Sequence, residues 1–136
     1  MRALDSSILL ALLEGEPGAK TLLKKLRGVE VATTEANLLE LSILASQGSE
    51  RHHRSRREAL GKLRRRITVL PIDARAVEAA ATHLGKDPKS TGSPLVLAMM
   101  GALEAGGCEE LLTQDPLPEM DRWKVRVTRV RLRDTK

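Results

Sequence analysis

Short β-type runs alternate with helical segments of about ten to fifteen residues along this chain, and that alternation restricts the fold more than any other feature. Residues 2–5 form an apolar-containing run that passes at once into Ser6, Ser7 and the Leu-rich stretch ILLALLEG, so a strand is followed by a helix. Pro17 opens a second helix, in which Leu22, Leu23 and Leu26 recur at helical spacing up to Gly28. Residues 29–32 alternate through Val29, Glu30 and Val31 as a buried strand does, and residues 33–47 return to a helical pattern. A third β-type run, 67–70, stops at Pro71, and Asp73 is placed to cap the helix ARAVEAAATHLG. LVLAMMGALEAGG reads as a buried helix, 110–113 as a fourth strand and 124–132 as a half-exposed last strand. The order predicts a mainly parallel sheet with helices on both faces, and 136 residues suit a single domain over 1–136. In sheets of this kind, reactive groups gather beyond the carboxyl ends of the strands.

Composition narrows the chemistry. Trp123 is the sole aromatic residue, which excludes modules that stack bases on Phe or Tyr, so any contact with nucleic acid must be made through charge. The net charge of +5 permits an anionic partner. A lone Cys108 rules out an internal disulfide and a multi-cysteine zinc site. No run approaches the roughly 18 apolar residues of a membrane span, and the opening MRALDSSILLALLEGEPG has no signal-cleavage pattern. A soluble cytoplasmic protein without a membrane partner is expected. One Asn and two Gln, beside many Arg and Glu, match the composition of heat-adapted proteins.

Between positions 51 and 66 eight basic residues face one acid, Glu58. The ordinary reading is an exposed, solvated helix face. The functional reading makes Arg51, Arg54, Arg56, Arg57, Arg64 and Arg65 contacts for RNA or for a protein partner.

Three acids stand out. Asp5 lies where the first strand meets a helix, a position that a plain N-cap also explains. Asp115, in LLTQDP, ends the fourth strand, where a turn Asp before proline is the simpler account. Glu40 has Ala36, Ile43 and Leu44 one turn away, so it is expected to project from a mostly apolar face, whereas Glu35 falls in a first helical turn and suits the dipole. Acids gathered without basic partners raise one another's pKa and persist where a hard divalent cation occupies them. Such a cation can activate water against a phosphodiester. Other groups carry less. His52 and His53 point apart on a helix and His83 is isolated, Met99 and Met100 read as core, Cys108 as inert, and Glu119 and Asp121 as solvated.

LDSSILLALLEGE, TTEANLLEL, VLPIDARAVEAAA and ALEAGGCEELLTQD, in this order and spacing, resemble the PIN-domain ribonucleases, whose small members include the VapC-like toxins of toxin–antitoxin pairs. The resemblance implies a three-layer α/β/α sandwich, RNA cleavage with Mg²⁺ or Mn²⁺, a homodimer and an antitoxin partner. By it, Asp5, Glu40 and Asp115 are the catalytic and metal-holding acids, with Ser7 and Thr113 as hydroxyls that orient them. The family normally places a further Asp at the start of the helix that here begins Ser93, Pro94, Leu95, Val96, and no acid occurs between Asp87 and Glu104. The alternative is therefore a catalytically weak or inactive member that binds RNA or a protein. A doubly wound nucleotide or phosphoacceptor domain also uses acids at strand ends, but no glycine-rich phosphate loop follows the first strand.

Overall fold

The computed structural model describes residues 1–47, 50–86, 93–117 and 123–132, with backbone alone at 50–52 and 84–86. In chain order the elements are β1 (Arg2–Leu4), α1 (Ser6–Leu13), α2 (Pro17–Lys25), β2 (Val31–Thr34), α3 (Glu35–Ala45), α4 (Glu50–Arg66), β3 (Thr68–Leu70), α5 (Ala74–Lys86), α6 (Pro94–Ala105), β4 (Glu110–Thr113) and β5 (Arg126–Arg129). The five strands form one sheet in the order β3-β2-β1-β4-β5, and every pairing is parallel. The expected sheet is present, with two boundary differences. β2 lies two residues further along than the alternation of Val29 and Val31 indicated, because Thr33 and Thr34 are buried and the Thr33 hydroxyl donates to the Leu4 carbonyl at 2.8 Å. The last strand is shorter than expected, at four residues.

Period-two alternation divides the sheet's side chains between two cores. Ala3, Ala32, Leu70 and Leu111 join Ala76, Ala80, Met99, Met100 and Leu103 of α5 and α6 on one face. Leu4 and Leu112, with Val31 and Val69 packed alongside, meet Ile8, Leu9, Leu22, Leu38 and Leu41 of α1, α2 and α3 on the other. This is the three-layer α/β/α arrangement, and Met99 and Met100 are core residues as expected.

The helices start where the sequence supplies acceptors for their unpaired N–H groups. Asp5 caps α1, Thr34 caps α3 and Ser93 caps α6, with Pro94 in its first turn. Asp73 accepts from the Ala76 N–H at 3.1 Å, the capping role predicted for it. α5 and α6 meet backbone to side at Gly101, where a Cβ would lie 2.2 Å from the Ala76 carbonyl oxygen, so only glycine permits the approach. Because all strands run the same way, β1, β2 and β4 deliver their last residues to one edge of the sheet.

Candidate functional site

Asp5 is the residue immediately after β1. Its Oδ1 accepts from the Ser7 N–H at 3.0 Å, the Ile8 N–H at 3.3 Å and the Ser7 hydroxyl. The cap and the candidate site residue are thus one side chain. Asp5 is only 4% exposed, and burial pushes its carboxyl above the usual range. Hydrogen bonds from the Ser7 and Thr113 side chains and the Ile8 backbone act against that rise, while the charge of Asp115 adds to it.

Glu40 comes from α3, one turn beyond the capped start. The expected apolar face is only partly realised: Leu38 and Leu41 are buried, but Leu39 and Ile43 are each 54% exposed, and half-buried Glu40 lies on the border between them. Its carboxyl is also raised, first by burial and then by the charges of Asp5 and Asp115, against a hydrogen bond from the Ser6 side chain. Asp115 is exposed, two residues past the end of β4, and its N–H donates to the Thr113 hydroxyl at 3.0 Å. Asp5, Glu40 and Asp115, remote in sequence, therefore lie close enough for their charges to act on one another.

Two residues not singled out from the sequence hold this edge together. Ser6 serves Glu40, as above. Gln114 fastens β4 to α1: its N–H donates to the Ser7 hydroxyl at 2.9 Å and its side-chain amide to the Ser7 carbonyl at 3.1 Å. Ser7 thus receives one hydrogen bond and passes another to Asp5. A polar residue between Thr113 and Asp115 was the available signal. A third polar group lies beneath: buried Asn37 accepts from the Thr34 hydroxyl at 2.7 Å and donates to the Met99 sulfur at 3.2 Å, joining α3 to α6.

The donor set consists of hard carboxylate oxygens, which suits Mg²⁺ or Mn²⁺ rather than a soft metal. None of the ion pairs among the described residues involves Asp5, Glu40 or Asp115. Among those residues no three His, Cys, Asp or Glu side chains are drawn into a ready cage. At the start of α6 the Ser93 hydroxyl accepts from the Val96 N–H at 3.2 Å, and Asp87 lies outside the described residues.

The basic helix α4 divides into groups. Arg64 makes a two-pronged contact with Glu35 at 2.9 Å for each bond, and Arg56 donates to the Leu44 and Gln47 carbonyls that close α3. Arg54 and Arg57 are exposed, as predicted, and the Arg51 and His52 side chains lie outside the described residues. Arg65 and Arg66 line a groove of about 780 Å³ together with Val29 and Glu30, which precede β2 and so mark the amino edge of the sheet, away from the acids.

His83 is not isolated. Its Nε2 lies 2.9 Å from a Glu104 oxygen, and its ring stacks on Trp123 with centroids 4.0 Å apart. Cys108 is buried, which pushes its thiol up, in keeping with an inert group. Glu119 and Asp121 lie outside the described residues. Among the described residues no helix is long and apolar enough to cross a membrane.

Known proteins place this arrangement. Curated proteins contain no match to the chain. Solved structures do: the VapBC2 complex from Rickettsia felis, bound to a DNA fragment from its promoter, superposes with a TM-score of 0.75 at 15% identity, over 96% of this chain and 98% of that one. VapBC-5 of Mycobacterium tuberculosis, from a toxin–antitoxin family, gives 0.65 at 22% identity over 94% and 97%. VapC20 of the same organism, a sarcin-ricin loop cleaving toxin, gives 0.59 at 18% identity over 82% and 87%. At these identities the likeness is one of fold. The family model of the PIN domain matches residues 2–116, nearly all of the sheet and its helices, and the chain belongs to the PIN domain family.

Proposed function

We propose that the protein is a metal-dependent ribonuclease of the PIN type, acting as the toxin of a toxin–antitoxin pair. The observation that carries this reading is that Asp5, Glu40 and Asp115 reach the carboxyl edge and that none of them takes part in an ion pair among the described residues. These three side chains would hold Mg²⁺ or Mn²⁺. When bound, such an ion supplies Lewis-acid stabilisation of the charge that builds at a phosphodiester and makes water a better nucleophile at neutral pH. Ser7 and Thr113 hold the Asp5 carboxylate in one orientation, and Thr113 also fixes the Asp115 backbone. Ser6 does the same for Glu40.

The partner half of the reading rests on the groove between α1, α2 and the end of α4. Leu12, Leu13, Leu23, Leu63 and Ile67 supply an apolar floor, and Lys20, Lys62, Arg65 and Arg66 a cationic rim. That chemistry fits an antitoxin segment with apolar side chains flanked by acids. The VapBC neighbours are toxin–antitoxin complexes, which supports an antitoxin as the occupant.

Cleavage of single-stranded RNA with Mn²⁺ or Mg²⁺ and with EDTA tests the enzyme half. Asp5→Asn and Glu40→Gln should each lower the rate at least about a hundredfold, since a metal's stabilisation of a transition state amounts to several kcal/mol. Activity that survives Asp5→Asn removes the mechanism. A second reading, a PIN-fold protein that binds without cutting, is favoured by Ser93 at the head of α6 and by the absence of a ready cage among the described residues. Titration with Mn²⁺ separates the two: no detectable binding by the wild type selects the second.

A further inference from the structure

The strand that closes the sheet carries a cationic pocket on the same edge as the acids. β5 pairs with β4 so that Thr113 lies opposite Arg129, and the Val130 N–H continues the ladder to the Thr113 carbonyl at 2.7 Å. Arg129, Arg131 and Gln114 line a hollow of about 370 Å³, with Glu16 on its far wall. Arg129 is exposed and its Nε donates to the Gln114 carbonyl at 3.2 Å, which ties the guanidinium to the residue that precedes Asp115. Gln114 is the residue whose N–H holds the Ser7 hydroxyl, and that hydroxyl donates to Asp5. The arginine and the hydroxyl that serves the acid are therefore both fastened to the backbone of Gln114.

We propose that this hollow is a phosphate subsite, in which Arg129 and Arg131 hold the backbone phosphates of single-stranded RNA that flank the bond over Asp5 and Asp115. The inference rests on the ribonuclease reading. Its physical basis is charge placement: three acids repel a polyanion, and cations on the adjoining strand offset that repulsion where the polymer must pass. The planar guanidinium suits phosphate oxygens, and Gln114 restrains it before the ligand arrives. The end of the basic helix α4 is less well placed, since Arg65 and Arg66 line the opposite edge.

The test is binding of a fluorescent single-stranded oligoribonucleotide in EDTA, read by anisotropy at several salt concentrations. Each phosphate contact contributes about −0.7 to the slope of log K against log salt for single strands. The double variant Arg129→Gln with Arg131→Gln should flatten the slope by about 1.4 on that basis. Arg129→Lys with Arg131→Lys should retain it, which separates lost charge from lost structure. Arg54→Gln with Arg57→Gln should leave it unchanged. RNA bound by the double Gln variant with an unaltered slope overturns the subsite alone. A wild type that binds no RNA overturns the subsite, and the cleavage assay with Mn²⁺ decides the reading beneath it.

Discussion

Glu110 and Asp5 are buried carboxylates at opposite ends of two adjoining central strands, and their environments differ. Glu110 opens β4 at the amino edge and is 8% exposed, while Asp5 follows β1 at the carboxyl edge and is 4% exposed. Burial by itself raises both. Around Glu110 the Thr128 hydroxyl donates at 2.6 Å and Arg126 at 3.0 Å, and Arg2 adds its charge at 3.5 Å, so the carboxyl ends below its ordinary range. Around Asp5 the donors are neutral and the charge of Asp115 adds to the effect of burial, so the carboxyl ends above it. Asp5 is the more deeply enclosed of the two, and only Glu110 has cationic partners, so depth and partners together set the opposite outcomes. One edge supplies counter-charges to its buried acid; at the other, Asp5 takes part in no ion pair among the described residues, and on the proposed reading a metal ion balances it.

The largest expected effect tests that last step directly. At pH 7, Mn²⁺ at a hundred times its dissociation constant should stabilise the wild type by about 2.7 kcal/mol, a rise in Tm of roughly 5–10 °C for a chain of this size. Asp5→Asn should lose the response, while Glu110→Ala should keep it. Differential scanning calorimetry with and without EDTA measures both. An absent shift in the wild type would place the two edges on the same footing.

Removing the self-contained acid comes next. Glu110→Ala leaves Thr128 unpaired and frees two arginines that are themselves 40% and 72% exposed, so solvent recovers part of the loss. A cost on the order of 1–2 kcal/mol in urea unfolding is expected at neutral pH. Because the folded pKa of Glu110 is depressed, its contribution is present above the ordinary carboxylate range and is lost as pH falls through the folded value. The variant should therefore equal the wild type in acid and fall behind it at pH 7. A constant deficit across that range would assign the loss to packing.

Much of this contrast was legible in the residues, and unevenly so. Asp5 and Asp115 were expected on one edge because parallel sheets gather their strand ends there, and period and punctuation locate those ends, whereas Glu40 was singled out from an apolar helix face that is only partly realised. The strand boundary at Thr33 was misplaced because its burial depends on a hydrogen bond to Leu4, across to another strand. Glu110 escaped notice for the same kind of reason. Its partners Arg2, Arg126 and Thr128 are distant in sequence, and nothing local to GCEELLT marks the acid as enclosed. The roles of Ser6 and Gln114 likewise depend on a neighbouring element, α3 for one and α1 for the other. Local pattern reports which edge a side chain reaches, and tertiary contact decides what meets it there.

The smallest effect is the most discriminating, because it has the opposite sign from that of Glu110. Asp5 and Glu40 have raised carboxyls, so the metal-free folded state keeps protons that the unfolded chain has already released. Stability should fall as pH rises from the ordinary carboxylate range through the two raised values, and then level off. Asn caps a helix about as well as Asp, so Asp5→Asn keeps an acceptor for the Ser7 and Ile8 N–H groups while it removes the charge. In EDTA the variant should match the wild type at the acid end and exceed it at pH 7 by up to about 1 kcal/mol. Urea midpoints between pH 4 and pH 7 measure the difference. A variant that loses stability at pH 7 would mean that Asp5 holds α1 more firmly than Glu40 and Asp115 oppose its charge, and the carboxyl edge would then need no ion to balance it.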